Sequence, residues 1–202
     1  MTRRTQAERR EASRADLIAA TLELMEEVGY AGVSVAEVCQ RAGRSVGTHL
    51  HHFGTKAALV AAAVDELAAR RIADARADLE REPRRGVAAA LDVVWQFYAG
   101  PTFVVALELW VAARTNPDLR AHLLAVEERI DREGVALAAS IAPELTTPAG
   151  AHAGRHAVAT MRGLAMRRAL YVDADLDAEW RSLKPLLLTT FTAATTTSEE
   201  PR

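Results

Sequence analysis

Side chains that can bind metals or nucleic acid are concentrated between residues 44 and 56. Three of the six histidines, His49, His51 and His52, lie there at the spacing i, i+2, i+3. Imidazole nitrogens can ligate zinc, and beside hydroxyl and guanidinium groups they can contact phosphates and base edges. These histidines have no cysteine partner, and Glu37 is the nearest carboxylate, so the pattern favours contact with nucleic acid over a metal site.

A second histidine pair and the single cysteine offer other chemistry. His152 and His156 are four residues apart on a predicted helix, a spacing that places two imidazoles on one face, as a metal site requires. Ala153 stands where a metalloprotease motif has its glutamate, so a surface or capping role is expected instead. Cys39 excludes an internal disulfide, and its place on the apolar side of a short helix predicts a buried small hydrophobe. No metal and no cofactor are expected.

Charge limits how the chain can meet nucleic acid. The net charge of −2 excludes a surface that is basic overall, so a local patch is needed. The cations between residues 34 and 56 are Arg41, Arg44 and Lys56. Residues 1–12 carry Arg3, Arg4, Arg9 and Arg10 against Glu8 and Glu11, and they are interpreted either as a frayed tail or as a basic arm that approaches DNA.

The first sixteen residues and the longest apolar run bear on location. The N-terminal segment MTRRTQAERREASRAD is polar and charged where a signal peptide has an apolar core. Residues 103–113 are apolar except for Glu108, and this run is too short to span a bilayer. A cytoplasmic protein is expected.

Composition and local signals predict an all-α fold of about nine helices. Alanine, leucine and arginine favour helices, and no stretch alternates as strands do. Ser13 and Asp16 form a capping-box pattern for a first helix that stops at Gly29. The next three helices are expected to begin after Ser34, Ser45 and Thr55. Later helices are predicted over about residues 86–99, 101–115, 117–142, 151–172 and 178–194.

Two short helices joined by a tight turn at Gly43 fit a helix-turn-helix. In that motif the second helix enters the major groove, and its first residues contact base edges. Val46 and Leu50 are one helical turn apart, and small residues at Ser45 and Gly47 would let the backbone approach DNA closely. The polar residues expected on the outside are Arg44, Ser45, Thr48, His49 and His52.

This segment resembles the DNA-binding domain of the TetR family of transcriptional regulators. The resemblance covers about 50 residues and implies a DNA-binding domain over residues 1–57, including the N-terminal arm. An effector-binding and dimerisation bundle would cover residues 58–202. The matching residues are Gly29-Tyr30, Ser34-Val35, Ala42-Gly43, Ser45, Gly47-Thr48, His52-Phe53, Thr55-Lys56 and Leu59.

The chain departs from the family pattern at two places in the same segment. The run His49-Leu50-His51 stands where Leu-Tyr-x is common, and Arg44 stands where valine is usual. In the family that tyrosine usually contacts a phosphate, so His51 or His52 would have to replace it.

The resemblance implies roles for particular residues. Ser34, Thr48 and Lys56 would bind phosphates, with Arg44 and His52 beside them. The residues expected to face bases or sugars are Ser45, Val46, Gly47, His49 and His51. The residues that would either line a ligand cavity or form the bundle core are Trp95, Tyr98, Phe103, Trp110 and Met161. The residues that would form either the dimer interface or core are Leu164, Leu183, Leu187 and Phe191.

The function implied is that of a ligand-responsive regulator and not of an enzyme. A homodimer would bind a palindromic operator, most simply as a repressor, and a small molecule in the C-terminal bundle would release it. The alternative is a helical enzyme or ligand-binding protein that has lost DNA binding. The histidines add a further expectation, that DNA binding strengthens as pH falls from about 8 to about 6.

Overall fold

Helices account for nearly all of the regular structure in this computed structural model, which describes residues 5–100 and 102–197. The described residues form nine α-helices and no strand, which confirms the all-α prediction. The first four helices are α1 (Gln6–Gly32), α2 (Val35–Arg41), α3 (Val46–His52) and α4 (Lys56–Arg81). The other five are α5 (Val87–Ala99), α6 (Thr102–Ala113), α7 (Pro117–Ile141), α8 (Pro148–Ala165) and α9 (Leu176–Thr197).

Helix α1 begins two turns earlier than predicted. The Glu8 backbone N–H donates to Thr5 Oγ1 at 3.2 Å, and the Thr5 N–H donates to the Glu8 carboxylate at 2.7 Å. This capping box is the one that starts the helix. The predicted start at Ser13 is wrong, because the Ser13 hydroxyl donates to the Arg9 carbonyl inside the helix at 2.9 Å. Residues 6–12 are therefore helical, while Arg3 and Arg4 of the proposed arm lie outside the described residues.

Other helix ends follow the local sequence. Gly29 adopts φ 66° and ψ 174°, which interrupts α1 at the predicted residue, and one further turn continues to Gly32. Side-chain oxygens accept from the backbone N–H three residues later and cap the next helix in each case. These caps are Ser34 on α2, Ser45 on α3, Thr55 on α4 and Asn116 on α7.

The start and the end of α8 differ from the prediction. Residues 143–146 form a 3₁₀ turn, and α8 already begins at Pro148 behind the N-cap Thr147. A Cβ at Gly150 would lie 2.1 Å from the Glu144 carbonyl oxygen, so the close approach of this turn to α8 needs glycine. At the other end, the helix predicted to reach residue 172 ends at Ala165, and a 3₁₀ turn over residues 166–169 follows.

The chain divides into two compact packing units. Unit 1 combines the N-terminal part up to Arg70 with Val105–Ile130, and unit 2 combines Arg71–Val104 with the part from Asp131 onwards. The core of unit 1 joins α1, α2 and α4 to the apolar residues of α6 and α7. Its fully buried members include Leu17, Leu24, Val38, Leu59, Leu109 and Leu119. The functional division expected between residues 57 and 58 stays a prediction.

Unit 2 is built around a tryptophan pair, Trp95 of α5 and Trp180 of α9. The two rings stack with their centroids 5.1 Å apart and 11° between their planes. The Trp95 indole donates to Asp177 at 2.9 Å, and the Trp180 indole donates to Asp92 at 3.0 Å. Each tryptophan thus binds a carboxylate of the opposite helix, which fixes α5 to α9.

Within the described part of the chain, no single helix combines the length and apolar character needed to cross a membrane. Two successive helices, Val87–Ala99 and Phe103–Ala113, meet that test only when they are taken together as a bent pair.

Candidate nucleic-acid interface

The turn between α2 and α3 has the geometry of a helix-turn-helix. Gly43 adopts φ 63°, the left-handed conformation that favours glycine after a helix end. Its N–H donates to the Gln40 carbonyl at 3.1 Å, and the Arg44 N–H donates to the Cys39 carbonyl at 2.8 Å. These two bonds form a Schellman motif, which ends α2 and redirects the chain at once into α3.

Helix α2 is held against the core by Val38 and Cys39, both of which are buried. Burial raises the pKa of the Cys39 thiol above its usual value. The thiol therefore stays protonated, and Cys39 is the buried small hydrophobe that the sequence predicts.

The outer face of α3 consists of Val46, Gly47, Leu50 and His51, all of them exposed. Val46 is 48% exposed and Leu50 is 58% exposed, so about half of each apolar side chain is left uncovered. A Cβ at Gly47 would meet only the Ser45 hydroxyl, at 3.6 Å, so the fold itself does not require glycine there.

His49 lies on the opposite side of α3, in the core. The side chain is 2% exposed, and neither ring nitrogen has a hydrogen-bond partner. Phe53 stacks beside the ring at 6.2 Å. The prediction that His49 lies outside and faces bases is wrong. The turn aims Val46 and Leu50 at solvent and leaves residue 49, which is leucine in the resembling pattern, to pack inward.

The predicted hydroxyl contacts lie at the exposed ends of α2 and α3. The Ser45 and Thr48 hydroxyls are 2.9 Å apart at the start of α3, and Ser34 is exposed at the start of α2. All three also cap or border a helix N-terminus, where unpaired backbone N–H groups point outward. The structure therefore brings Ser45 and Thr48 together beside the outer face of α3.

The three cations counted between residues 34 and 56 all have partners inside unit 1. Arg44 binds the Asp16 carboxylate with two nitrogens, one of them Nε at 3.1 Å. Arg41 donates to both Glu27 oxygens, at 2.6 and 2.9 Å. Lys56 donates to the Tyr30 carbonyl at 3.0 Å, and burial lowers the pKa of its ammonium.

Two arginines of α1 lie beside α3 instead. The guanidinium of Arg14 is 5.7 Å from the centre of the Phe53 ring. Burial first, then the nearby charges of His51, Arg10 and Arg14, hold the pKa of His52 below its ordinary value of 6.5. Arg14 was missed as a site residue, and Arg10 was expected only as part of the N-terminal arm, although the pair Thr5 and Glu8 signals a helix that places them one turn apart.

The predicted ligand residues are distributed over both units. In unit 2, Met161 and Phe103 are buried, and the Tyr98 ring meets Phe103 edge-on at 5.4 Å. Trp95 belongs to the tryptophan pair and is fully buried. Trp110 lies in unit 1, where its indole donates to Glu127 at 2.8 Å.

The four predicted dimer residues differ in how deeply they are buried. Leu164 and Leu183 are half-buried in a single chain. Leu187 and Phe191 are 8% and 4% exposed, so they fill the core of their own protomer and leave little surface for a partner. Leu186 is 66% exposed on the same helix, α9.

The second histidine pair is closely spaced on α8. The Nε2 atoms of His152 and His156 are 3.0 Å apart, and an Arg155 nitrogen lies 3.3 Å from His152 Nδ1. Among the residues that the structure describes, no three histidine, cysteine or acidic side chains form a group able to hold a metal ion.

Comparison with known proteins identifies a matching family and several similar proteins. Residues 17–63 match the family described as bacterial regulatory proteins, tetR family. An uncharacterised HTH-type transcriptional regulator of Mycobacterium tuberculosis is 38% identical over 122 residues, 59% of this chain and 63% of that protein. The matched region thus spans less than two thirds of that relative's length.

Two further matches extend over most of both chains. The HTH-type transcriptional regulator BetI of Paraburkholderia phymatum is 35% identical over 172 residues, covering 81% of this chain and 85% of BetI. The structure of the multidrug binding protein EbrR complexed with imidazole is 25% identical, with a TM-score of 0.60. That match covers 88% of this chain and 93% of EbrR. None of the three matched proteins is named as an enzyme.

Proposed function

The chain belongs to the TetR family of bacterial regulatory proteins, and from this premise we propose that it is a DNA-binding transcriptional regulator. Two copies bind a palindromic operator, and a small molecule releases them, so the protein acts as a repressor in the cytoplasm. The observation that carries this proposal is the exposed outer face of α3, with hydroxyls at its start and arginines of α1 beside it.

Helix α3 is the element that enters the major groove. Its outer face carries no acidic residue and places Gly47 where the backbone can approach base edges. Ser45 and Thr48 supply hydroxyls at the helix start, and His51 supplies an exposed imidazole. These groups can donate to phosphates or accept from bases.

Phosphates are bound mainly by Arg10 and Arg14, together with Ser34, Thr48 and His52. Arg44 can contact a phosphate only after it leaves Asp16. Its ion pair with Asp16 is partly exposed and is worth at most about 1 kcal/mol. A DNA phosphate can replace Asp16 at small cost. Lys56 instead anchors the end of α1 to the start of α4, where the cap residue Thr55 exposes backbone N–H groups to a phosphate.

The remaining helices supply the effector site and the dimer contact, and the proposal sets the functional boundary between residues 57 and 58. EbrR, a structural neighbour, is named as a multidrug binding protein, which supports an aromatic effector site around Tyr98, Phe103 and Met161. For the dimer, the exposed Leu186 and the half-buried Leu164 and Leu183 are the apolar surfaces that α8 and α9 leave accessible.

The test is enrichment of sheared bacterial genomic fragments by the purified full-length protein at moderate salt, followed by sequencing. Enrichment of one or a few palindromic sites is the expected result, with protection of both half-sites by a dimer. The test variant is Thr48→Val in the same experiment, which removes one hydroxyl at the start of α3 and keeps the Ser45 cap in place.

Two outcomes decide against the proposal. If neither the protein as purified nor a sample refolded to remove bound ligand enriches any site, the protein is not a DNA-binding regulator. If the hydroxyl variant enriches the same sites with equal strength, α3 does not dock through its first turn.

A further inference from the structure

Two apolar side chains, Val46 and Leu50, form a continuous exposed stripe along α3. They are one helical turn apart, and 48% and 58% of their surfaces remain exposed in the folded chain. Their neighbours on the outer face of α3 are Gly47 and His51, neither of which covers them. A helix that contacts only phosphates would carry polar residues on its exposed face. The exposed apolar stripe therefore indicates that α3 also contacts an apolar group.

We propose that Val46 and Leu50 bind the 5-methyl groups of thymines in the major groove, and so select operator sequence. The inference rests on the proposed function and names the base chemistry that α3 recognises. In the major groove the thymine methyl is the one apolar group on a base edge, and aliphatic side chains pack against it. Duplex DNA is therefore the occupant that matches both the stripe and its polar surroundings.

Charge around the stripe favours DNA over an apolar protein partner. Arg10, Arg14 and His52 lie together next to α3, with Glu11 as an acidic neighbour of His52, and the outer face of α3 itself has no carboxylate. A protein partner that buried the stripe would also have to neutralise this basic edge. A DNA duplex supplies phosphates for the edge and methyl groups for the stripe in one surface.

The position of Leu50 strengthens the assignment. In the resembling pattern this residue is a tyrosine, whereas here the side chain has no group that can bind a phosphate. Arg10 and Arg14 provide the backbone contact from α1, which leaves residue 50 available for a base. The two changes together convert a phosphate contact into an apolar contact with a base.

The experiment measures affinity of the full-length dimer for the enriched operator and for copies in which single thymines are replaced by deoxyuridine. This change removes one methyl group and leaves base pairing unchanged. At one or two thymines in each half-site we expect affinity to fall about fourfold, the factor that burial of one methyl group is worth. Where a contacted thymine is replaced by a cytosine paired with guanine, affinity should fall further. Methylating that cytosine at position 5 should recover only the part of the affinity that the methyl group contributes.

Variants assign the effect to the stripe. Val46→Ala and Leu50→Ala should each lose discrimination at the one thymine that the mutated side chain contacts. At that position each variant should bind the thymine operator and the deoxyuridine operator with equal affinity. Val28→Ala and Leu124→Ala are matched controls, because these residues are 50% and 57% exposed in the same unit. The controls should keep the full discrimination.

The outcomes separate this inference from the proposed function. If no operator is enriched, the proposed function itself fails. If the operator binds but every deoxyuridine copy binds as tightly as the thymine operator, the regulator stands and the methyl assignment is overturned. If discrimination persists in both stripe variants, other residues contact the methyl groups, and the assignment is likewise overturned.

Discussion

The tryptophan pair of unit 2 and helix α3 of unit 1 differ in whether their buried polar groups are hydrogen-bonded. Trp95 and Trp180 each donate to a carboxylate, and Asp92 also accepts from Lys184 at 2.7 Å. In α3 the buried His49 has no partner for either nitrogen, while apolar Val46 and Leu50 are exposed. Stability favours paired polar groups and buried apolar ones, so a buried histidine without hydrogen-bond partners beside two exposed apolar side chains makes α3 a candidate functional helix.

Removal of a tryptophan should produce the largest change. Trp95→Ala removes a fully buried ring and leaves Asp177 without its indole donor, so we expect a loss of about 3–5 kcal/mol in unfolding free energy. Denaturant unfolding measures this change. Trp95→Phe keeps most of the packing and should cost less. Equal stability of Trp95→Ala and the wild type would show that the pair does not hold unit 2 together.

His49→Leu should act in the opposite direction. It removes two buried nitrogens that lack partners and should raise unfolding free energy by about 1–3 kcal/mol. The control is His51→Leu, an exposed histidine two residues away, which should change stability by less than about 0.5 kcal/mol. A destabilised His49→Leu variant would mean that the imidazole is satisfied in the folded protein.

The helices and the turn around α3 could be predicted from the sequence, but the burial of His49 could not. The caps Ser34, Ser45 and Thr55 and the turn at Gly43 are local signals, so the starts of α2, α3 and α4 and the turn were predicted correctly. The inward position of His49 depends on how α3 packs, and the i, i+4 spacing of Val46 and Leu50 suggested a different core face.

Partners far away in sequence were also beyond prediction. The resemblance assigned Arg44 and Lys56 to phosphate contacts. Their partners Asp16 and Tyr30 come from α1, 28 and 26 residues away. The place of Arg10 on a helix and not in an arm was not predicted for a related reason, since it depends on where α1 begins.

Gly47→Ala should separate folding from recognition within α3. The new methyl group meets only an ordinary contact, and alanine favours helix, so stability should rise by about 0.5–1 kcal/mol. Operator affinity should fall about tenfold, or 1.4 kcal/mol, because the methyl group stands between the backbone and the bases. Band-shift titration beside thermal unfolding measures both. Unchanged affinity would place the closest approach of DNA elsewhere on α3.

The smallest effect expected is that of pH. The pKa of His52 is lowered in the free protein by burial and by neighbouring cations, so its ring is mostly neutral near pH 7. A bound phosphate raises this pKa, so the complex takes up a proton and affinity rises as pH falls from about 8 to about 6. The rise should be less than tenfold per pH unit for each histidine involved. His52→Gln should flatten the profile at constant ionic strength, and an unchanged profile in that variant would remove His52 from the contact.

The salt dependence of operator binding tests most directly whether α3 docks with the α1 arginines beside it. The proteins compared are the wild type, Arg10→Ala with Arg14→Ala, and the control Arg114→Ala with Arg120→Ala, which removes two exposed arginines of the same unit. Each lost phosphate contact should reduce the slope of log affinity against log salt by about 0.9, or about 3–4 for a dimer. If the α1 arginines bind phosphates, only the α1 variant shows this reduction. Equal slopes in the two variants would contradict it.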